Sequence, residues 1–317
     1  MIMKKILKVL LVIIIVFVLA AVGLVLKFGP NYGLYILPPS VEQYVEGAMK
    51  FADFGIYAEG KEWKEAKTSA IEKAAECESY EETYPIIQEA LSVAGGKHSK
   101  LITKEQSGEW AEEQLLPECD FDGGILYVKL PPYSMESGES KEYTDIVINA
   151  IKDNGDSIKG VILDLRDNTG GDMGPMAAAV SPLIPDGVLM QFDVSGRRMD
   201  VTLSEGTVNG GGSTTTVENL NKLSVPVAIL QNELTASSGE ATLICFKGLD
   251  NVRTFGAATA GYCSTNTVRK MYDGAVIQLT VGSDVDRQGN MYCEDPIEPD
   301  VPADDPLKEA KDWIGSF

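Results

Sequence analysis

An apolar run without interruption, Val9 to Leu26, follows Lys4, Lys5 and Lys8. With Ile6 and Leu7 the segment reaches about 20 residues, and as a helix it spans roughly 30 Å, the hydrocarbon thickness of a bilayer. Positive charge stays on the cytoplasmic side, so the rest of the chain is expected to face outwards. A cleaved signal peptide is the competing reading, but the apolar stretch is long and no convincing small-x-small site precedes Lys27. The expectation is a signal-anchor over residues 1–29, single-pass in the cell membrane, with an extracytoplasmic remainder.

The 317 residues hold 44% hydrophobic side chains, enough for a globular core of one large or two modest domains. Against 27 Lys and Arg stand 47 Asp and Glu, a net charge of -20. Such a surface repels phosphate backbones, and no local basic patch offsets it, so nucleic acid is excluded as a partner. The five cysteines, Cys77, Cys119, Cys245, Cys263 and Cys293, lack metal-ligand spacing, so neither a metal nor a cofactor is expected. An odd number leaves at least one thiol free, and Cys263 with Cys293 is a candidate pair in an oxidising compartment. There is one histidine, His98, so any imidazole chemistry must use it.

Beyond the anchor, residues 30–39 are rich in Gly, Pro and Tyr and read as a linker. Residues 40–100 carry three helical patterns, the first capped by Ser40, the others near Trp63 to Cys77 and Tyr80 to Val93; they form an acidic helical cap ending at Gly95-Gly96 and the His98 loop. Residues 101–317 then alternate strands and helices: strands at Ile125 to Leu130, Gly160 to Leu165 and Val225 to Leu230, helices at Tyr143 to Ile151 and Ala241 to Phe246. That order predicts an α/β core with parallel pairing. A β-rich insertion, Val188 to Val208, ends in Asn209-Gly210-Gly211-Gly212-Ser213, expected to be a mobile loop. Strands at Asn266 to Met271 and Ala275 to Val281 and a helix over Pro306 to Ile314 close the chain.

Three stretches carry chemistry. Asn232 to Glu240 is a strand-to-helix turn, where a serine Oγ can stand at the mouth of a cleft with unpaired helix-start N–H groups beside it. Taken alone, Ser and Thr before a helix are N-caps. Asp164-Leu165-Arg166-Asp167-Asn168-Thr169-Gly170-Gly171 lies at the carboxyl end of a strand, where α/β proteins place ligand sites, and its glycines let N–H groups approach a reacting oxygen. Gly95-Gly96-Lys97-His98-Ser99 sets the sole imidazole after a flexible pair.

Together these stretches resemble the C-terminal processing and tail-specific peptidases (family S41). There a strand ends in Asp-Leu-Arg-x-Asn-x-Gly-Gly, matched by Asp164 to Gly171, and the nucleophile motif Ser/Thr-Ala-Ser-x-Ser/Gly-Glu is matched by Thr235 to Glu240, marking Ser237. Gly256 to Tyr262 looks like the family's Gly-x-x-Thr-x-Gly-Lys, and Ile297 to Asp300 like its Gly-Ile-x-Pro-Asp. The lysine base of the Ser/Lys type is replaced by Tyr262, whereas the branch typified by the tricorn core uses an upstream histidine, the place His98 occupies. Too few residues separate His98 from Gly124 for a PDZ domain.

The resemblance implies a crotonase-like or ClpP-like core of ββα units with the helical cap in front. It implies a serine peptidase acting on a peptide or protein: Ser237 attacks, His98 takes and returns the proton at an ordinary imidazole pKa, and Glu298, ahead of Glu240, orients the imidazole. Ser238 with Gly170 or Gly171 supplies the oxyanion hole. Asp164 and Arg166 read as scaffold of the glycine loop, and Glu240 holds the nucleophile turn through backbone or Arg166. Ser99 or Lys97 is a candidate link between carboxylate and imidazole. A non-catalytic peptide- or ligand-binding module on the same fold is the alternative.

Overall fold

The structure is a computed structural model and describes residues 2–111, 115–134 and 140–317. The chain divides into two compact units, Met1–Ser107 with Asn266–Thr280, and Gly108–Thr265 with Val281–Phe317.

In the first unit, helix α1 (Ile2–Phe28) contains a 19-residue stretch, Leu10–Phe28, of mean hydropathy 3.1 with no buried share, long and apolar enough to cross a membrane. Helix α2 (Val41–Ala52) opens with a capping box: Gln43 N–H donates to Ser40 Oγ at 3.2 Å and Ser40 N–H to Gln43 Oε1 at 3.1 Å. Its buried face, Tyr44, Val45, Ala48, Met49 and Ala52, follows the helical period. Helix α3 (Gly60–Ala74) is tied to the end of α2 by Asp53, which accepts from Trp63 Nε1 and pairs with Lys67. Helix α4 (Tyr80–Gly95), capped by Ser79, stops at Gly96, whose φ of 73° suits only glycine without strain. Strand β1 (Lys100–Ile102) and helix α5 (Lys104–Ala111) follow.

The sequence boundary at residue 100 leaves 266–280 in the core, whereas the compact unit gathers that hairpin with the N-terminal helices. Two side chains account for this. Asp273, in the hairpin turn, accepts from Tyr44 Oη at 3.0 Å and Tyr84 Oη at 2.7 Å. Arg269 donates to Gly47 O at 3.0 Å and lies over the Phe51 ring. The linker is likewise not wholly free of packing, since Tyr35 meets the Tyr272 ring at 5.4 Å between centroids.

The second unit lays down β2 (Glu118–Asp122), β3 (Ile125–Lys129), α6 (Ser140–Asn154), β4 (Gly160–Asp164) and α7 (Met173–Ala179). The insertion follows as β5 (Gly187–Val194), β6 (Arg197–Ser204), β7 (Thr207–Asn209) and β8 (Thr215–Thr216). Next come β9 (Val227–Gln231), α8 (Ser238–Ile244) and β10 (Val252–Gly256); after the hairpin strands β11 (Ser264–Lys270) and β12 (Val276–Asp286), whose residues 266–280 belong to the first unit, follow β13 (Met291–Tyr292), β14 (Val301–Pro302) and α9 (Pro306–Ile314).

One sheet has the order β14-β10-β9-β4-β3-β2, parallel throughout except for the β2–β3 hairpin. Every residue of β4 and β9 is buried, as continuous apolar runs in the middle of a two-faced parallel sheet must be. Val161, Leu163, Val227 and Ile229 face one core with α6, α7 and α8, while Ile162, Ala228 and Leu230 face α9 through Ala310 and Ile314. Both β4 and β9 therefore end on the same edge, and the loops that leave them meet there. The insertion pairs as an antiparallel meander, β5-β6-β7-β8. Its glycine run, expected to be mobile, is held instead: the Asp172 carboxylate accepts from both the N–H and the hydroxyl of Ser213, and Gly211 is buried. A carboxylate 41 residues upstream in the chain supplies the hold, which local composition does not reveal.

Candidate active site

The nucleophile turn is built from β9 outward. Thr235 Oγ1 donates to Leu165 O at 2.8 Å and accepts from Asn232 N–H at 3.1 Å, while Ala236 N–H donates to Asn168 O at 2.9 Å, so the turn is stitched to the loop leaving β4. Ser237 follows with φ 53° and ψ -119°. An N-cap serine sits in extended backbone. Ser237 instead occupies a region where a side chain costs about 1–3 kcal/mol, and such strain persists only where the surroundings over-determine it.

Glu240 provides that determination. Its side chain is fully buried, and Oε2 accepts from Ser237 N–H at 2.9 Å and Tyr262 N–H at 2.8 Å. Oε1 accepts from Gly261 N–H at 2.9 Å and from the Thr259 hydroxyl. One carboxylate thus fixes the serine backbone and the loop after β10 together. Arg166, expected as a possible partner of Glu240, pairs with Asp164 instead, Nε to Oδ1 at 2.9 Å and Nη2 to Oδ2 at 2.5 Å, and Tyr127 Oη donates to the same carboxylate at 2.7 Å. That pairing raises the Arg166 pKa further and leaves both groups as scaffold at the end of β4.

The glycine loop presses against the serine. A Cβ on Gly170 would lie 2.8 Å from Ser237 Cβ, and one on Gly171 would lie 1.9 Å from Tyr133 O; their φ values, 107° and 118°, are also glycine's. Gly170 N–H is already given to Asn168 Oδ1 at 3.0 Å. Among the described residues, the N–H groups of Gly171 and Ser238 donate to no backbone carbonyl, and Ser238 Oγ donates to Gly171 O at 2.7 Å, joining the two segments. Two unspent N–H groups beside a half-buried serine suit a developing oxyanion.

His98 belongs to the first unit. Gly96 turns the chain, Ser99 N–H closes onto Gly96 O at 3.2 Å, and the His98 carbonyl accepts from Gln278 Nε2 at 3.1 Å. The imidazole is 5% exposed, and burial, followed by the charges of Lys100 and Lys97, pushes its pKa down to about 4 rather than leaving it at the ordinary value expected. Asn266, at the start of the hairpin, brings its amide nitrogen to 3.1 Å from Nδ1, and Thr280 Oγ1 bonds the other end of that amide at 2.8 Å. Ser99 Oγ, a candidate link to a carboxylate, accepts from Thr280 N–H at 3.0 Å.

Glu298 is exposed, on the short segment where Ile297 N–H donates to Thr259 Oγ1 at 2.8 Å. Tyr262 is half-buried, its N–H engaged by Glu240. The second unit thus assembles Ser237, Ser238, Gly170, Gly171, Glu240 and the Tyr262 backbone. Asn266 was not picked out from sequence, because an asparagine opening a strand has no signal of its own. Asp284, also missed, is a buried carboxyl whose pKa burial pushes up to about 7, bonded to Thr265 Oγ1 at 3.1 Å.

Comparison with known proteins agrees with this geometry. Residues 124–303 match Peptidase family S41. The chain is similar to the nisin-resistance protein of Lactococcus lactis subsp. lactis, 36% identical over 298 residues and 93% of each chain. It is 29% identical over 186 residues to the carboxy-terminal processing protease CtpA of Bacillus subtilis (strain 168), covering 58% of this chain and 36% of that one. Among solved structures, a lipoprotein from Streptococcus agalactiae superposes with a TM-score of 0.79 at 34% identity, over 89% of this chain and 98% of the other. A serine held at positive φ against a Gly-Gly loop, on a chain with these relatives, places the protein in peptidase family S41, as a serine-type peptidase.

Proposed function

We propose that the chain is a membrane-anchored endopeptidase that works outside the cell, with Ser237 as nucleophile and His98 as its base. Ser237 Oγ attacks a peptide carbonyl as His98 accepts its proton. The imidazolium then protonates the leaving amine, and water releases the acyl group from Ser237 by the same steps. The N–H groups of Ser238 and Gly171 hold the oxyanion; Gly170 shapes the loop, its own N–H being spent on Asn168. For His98 to serve as base, one ring nitrogen must keep a lone pair for Ser237. An Asn266 amide turned with its oxygen towards Nδ1 achieves this, since Thr280 Oγ1 can pair with either end of the amide. Glu298 is the carboxylate assigned to orient the imidazole in the alternative arrangement, in which it accepts from Nδ1–H in place of the Asn266 amide, since the ring has one nitrogen for the orienting group and one for Ser237. Tyr262 contributes its N–H to Glu240 rather than a base. Residues 1–29 are assigned as anchor, 40–100 as the helical cap, and the core as crotonase-like.

The observation that carries the reading is the backbone of Ser237: Glu240 closes a capping box on it, but its φ of 53°, packed against Gly170, is not the extended backbone of an ordinary N-cap. For substrate we propose a cationic peptide arriving at the outer membrane face. A net charge of -20 attracts such a peptide, and a relative alike over nearly its whole length is named for resistance to nisin. The test is incubation of the detergent-solubilised full chain with nisin and with an acidic peptide of similar length, followed by mass spectrometry. Cleavage of the cationic peptide that is lost in Ser237→Ala supports the proposal; preferential cleavage of the acidic peptide overturns the substrate assignment.

A further inference from the structure

We propose that Cys263 and Cys293 are a disulfide site, a covalent clamp on the loop that holds the Glu240 carboxylate. Three backbone relations and one side-chain hydrogen bond within the second unit bring the two residues together. The segment after β10 and the segment after β13 run antiparallel: Thr259 N–H donates to Ile297 O at 3.1 Å, and a Cβ on Gly261 would lie 2.8 Å from Glu294 O and 2.9 Å from Asp295 C. Stepping two residues further along each segment sets Cys263 opposite Cys293. From the other direction, β13 is registered on β12 with Tyr292 across from Asp284, so Cys293 continues beside Ser283. Thr265 Oγ1 donates to Ser283 O at 3.2 Å, which brings the chain two residues after Cys263 to that same place. Both lines converge on Ser283, and Cys293 is among the groups whose charge acts on the Cys263 thiol. Residues directly opposite in antiparallel strands have Cα atoms about 4.5–5.5 Å apart, inside the range a disulfide spans.

Cys263 is fully buried, with its unoxidised thiol hydrogen-bonded to Glu240, a bond that the disulfide would replace with the tie to Cys293, while Cys293 is half-buried. The order of reaction follows from that difference. The Cys293 thiolate attacks a sulfur of an external disulfide, such as that of a thiol-disulfide oxidoreductase, and expels one thiolate. The Cys263 sulfur, giving up its proton, then attacks Cys293 Sγ in the mixed disulfide and expels the second. Two protein thiols lose two electrons and two protons, and the external disulfide becomes two thiols. Burial holds the Cys263 pKa high, so the second step is slow and the bond, once formed, is shielded from reductants. The consequence lies at Tyr262, next to Cys263, whose N–H donates to Glu240. The clamp ties that donor to the segment of Glu294 and Pro296, and so stiffens the support of Ser237.

Formation inside the cell's own chemistry rests on the extracytoplasmic reading; formation in solution does not. The test equilibrates the folded full chain in detergent with oxidised glutathione, alkylates remaining thiols and maps peptides by mass spectrometry. The expected result is a Cys263–Cys293 cross-linked peptide, absent from Cys263→Ser and Cys293→Ser, with a rise in thermal midpoint on oxidation of the wild type that both variants lack. A stable glutathione adduct on Cys293 with Cys263 still alkylated on unfolding, or a cross-link to another cysteine, overturns the proposal. Thiol labelling of intact cells addresses the compartment separately: a bond that forms in solution but not in cells overturns the location and leaves the pairing standing.

Discussion

Replacing Glu240 by Gln changes one atom and tests the support of the nucleophile. In the native turn Oε2 accepts two backbone N–H groups, from Ser237 and Tyr262, and Oε1 accepts one from Gly261 and one hydroxyl from Thr259. An amide nitrogen cannot accept. Placed at the Oε2 position it faces two N–H groups that cannot reverse. At Oε1 it faces the Thr259 hydroxyl, which can turn, and the Gly261 N–H, which cannot. The second orientation is cheaper and leaves one buried N–H orphaned, at about 1–3 kcal/mol, with weaker charge-assisted bonds remaining at the other oxygen. The total is about 2–4 kcal/mol, or on the order of 3–6 °C in Tm for a chain of this size. Thermal unfolding followed by circular dichroism reads the stability, and peptide cleavage the activity. kcat should fall more than KM rises, because the Ser237 backbone is released while the substrate groove is not. A Glu240→Gln variant with wild-type Tm and kcat would refute the assignment of this carboxylate as the keystone of the turn.

Other outcomes follow from the same geometry. Ser237→Gly should be more stable than Ser237→Ala by about 1–2 kcal/mol, since only glycine takes φ 53° without strain; equal stabilities by urea unfolding would contradict the strain. Gly171→Ala, whose Cβ would meet Tyr133 O at 1.9 Å, should abolish cleavage and lower Tm, with no such loss in an alanine placed at Gly23, where nothing lies within 4 Å and φ is not positive. His98 has its pKa lowered from about 6.5 unfolded to about 4 folded, so it is a neutral base at and above pH 5, and the acid limb of kcat/KM should fall near pH 4. By linkage the unfolded state takes up a proton first, so the His98 contribution to stability is full above pH 6.5 and is lost as pH falls towards 4; a limb near pH 6.5 would contradict the burial. Asn266→Ala should lower kcat and displace the acid limb, while Glu298→Gln separates the two orienting candidates by leaving that limb in place if Asn266 alone positions the ring.

Much of the second unit was legible from the chain because its signals are local. Continuous apolar runs at Gly160 to Asp164 and Val227 to Gln231 can only be strands buried on both faces, and the helix at Pro306–Ile314 announces itself by proline and Asp305 at its start. Asp164 to Gly171 and Thr235 to Glu240 stood out by their likeness to the family's motifs; taken alone, a Gly-Gly turn reads as punctuation and serines before a helix as N-caps. Contacts over long separations were not legible. Glu240 was expected to brace its own turn, but its bonds to Thr259, Gly261 and Tyr262 depend on β9 and β10 lying side by side. Asn266 reaches His98 across 168 positions, through a hairpin whose attachment to the helices rests on Asp273 and Arg269. The glycine run at 210–212 reads as loose by composition, yet Asp172 pins it. In each case the deciding partner is a single polar side chain, which no periodicity encodes.

The central claim is that Ser237 is an activated nucleophile served by His98. The direct measurement is covalent labelling of the folded full chain in detergent by a serine-reactive fluorophosphonate, across pH 5 to 9, with the modified residue located by mass spectrometry in wild type, Ser237→Ala and His98→Ala. The account predicts one label, on Ser237, in wild type alone, with both variants retaining wild-type Tm within a few degrees. Labelling at another serine, or labelling of Ser237 at an undiminished rate without His98, would contradict it.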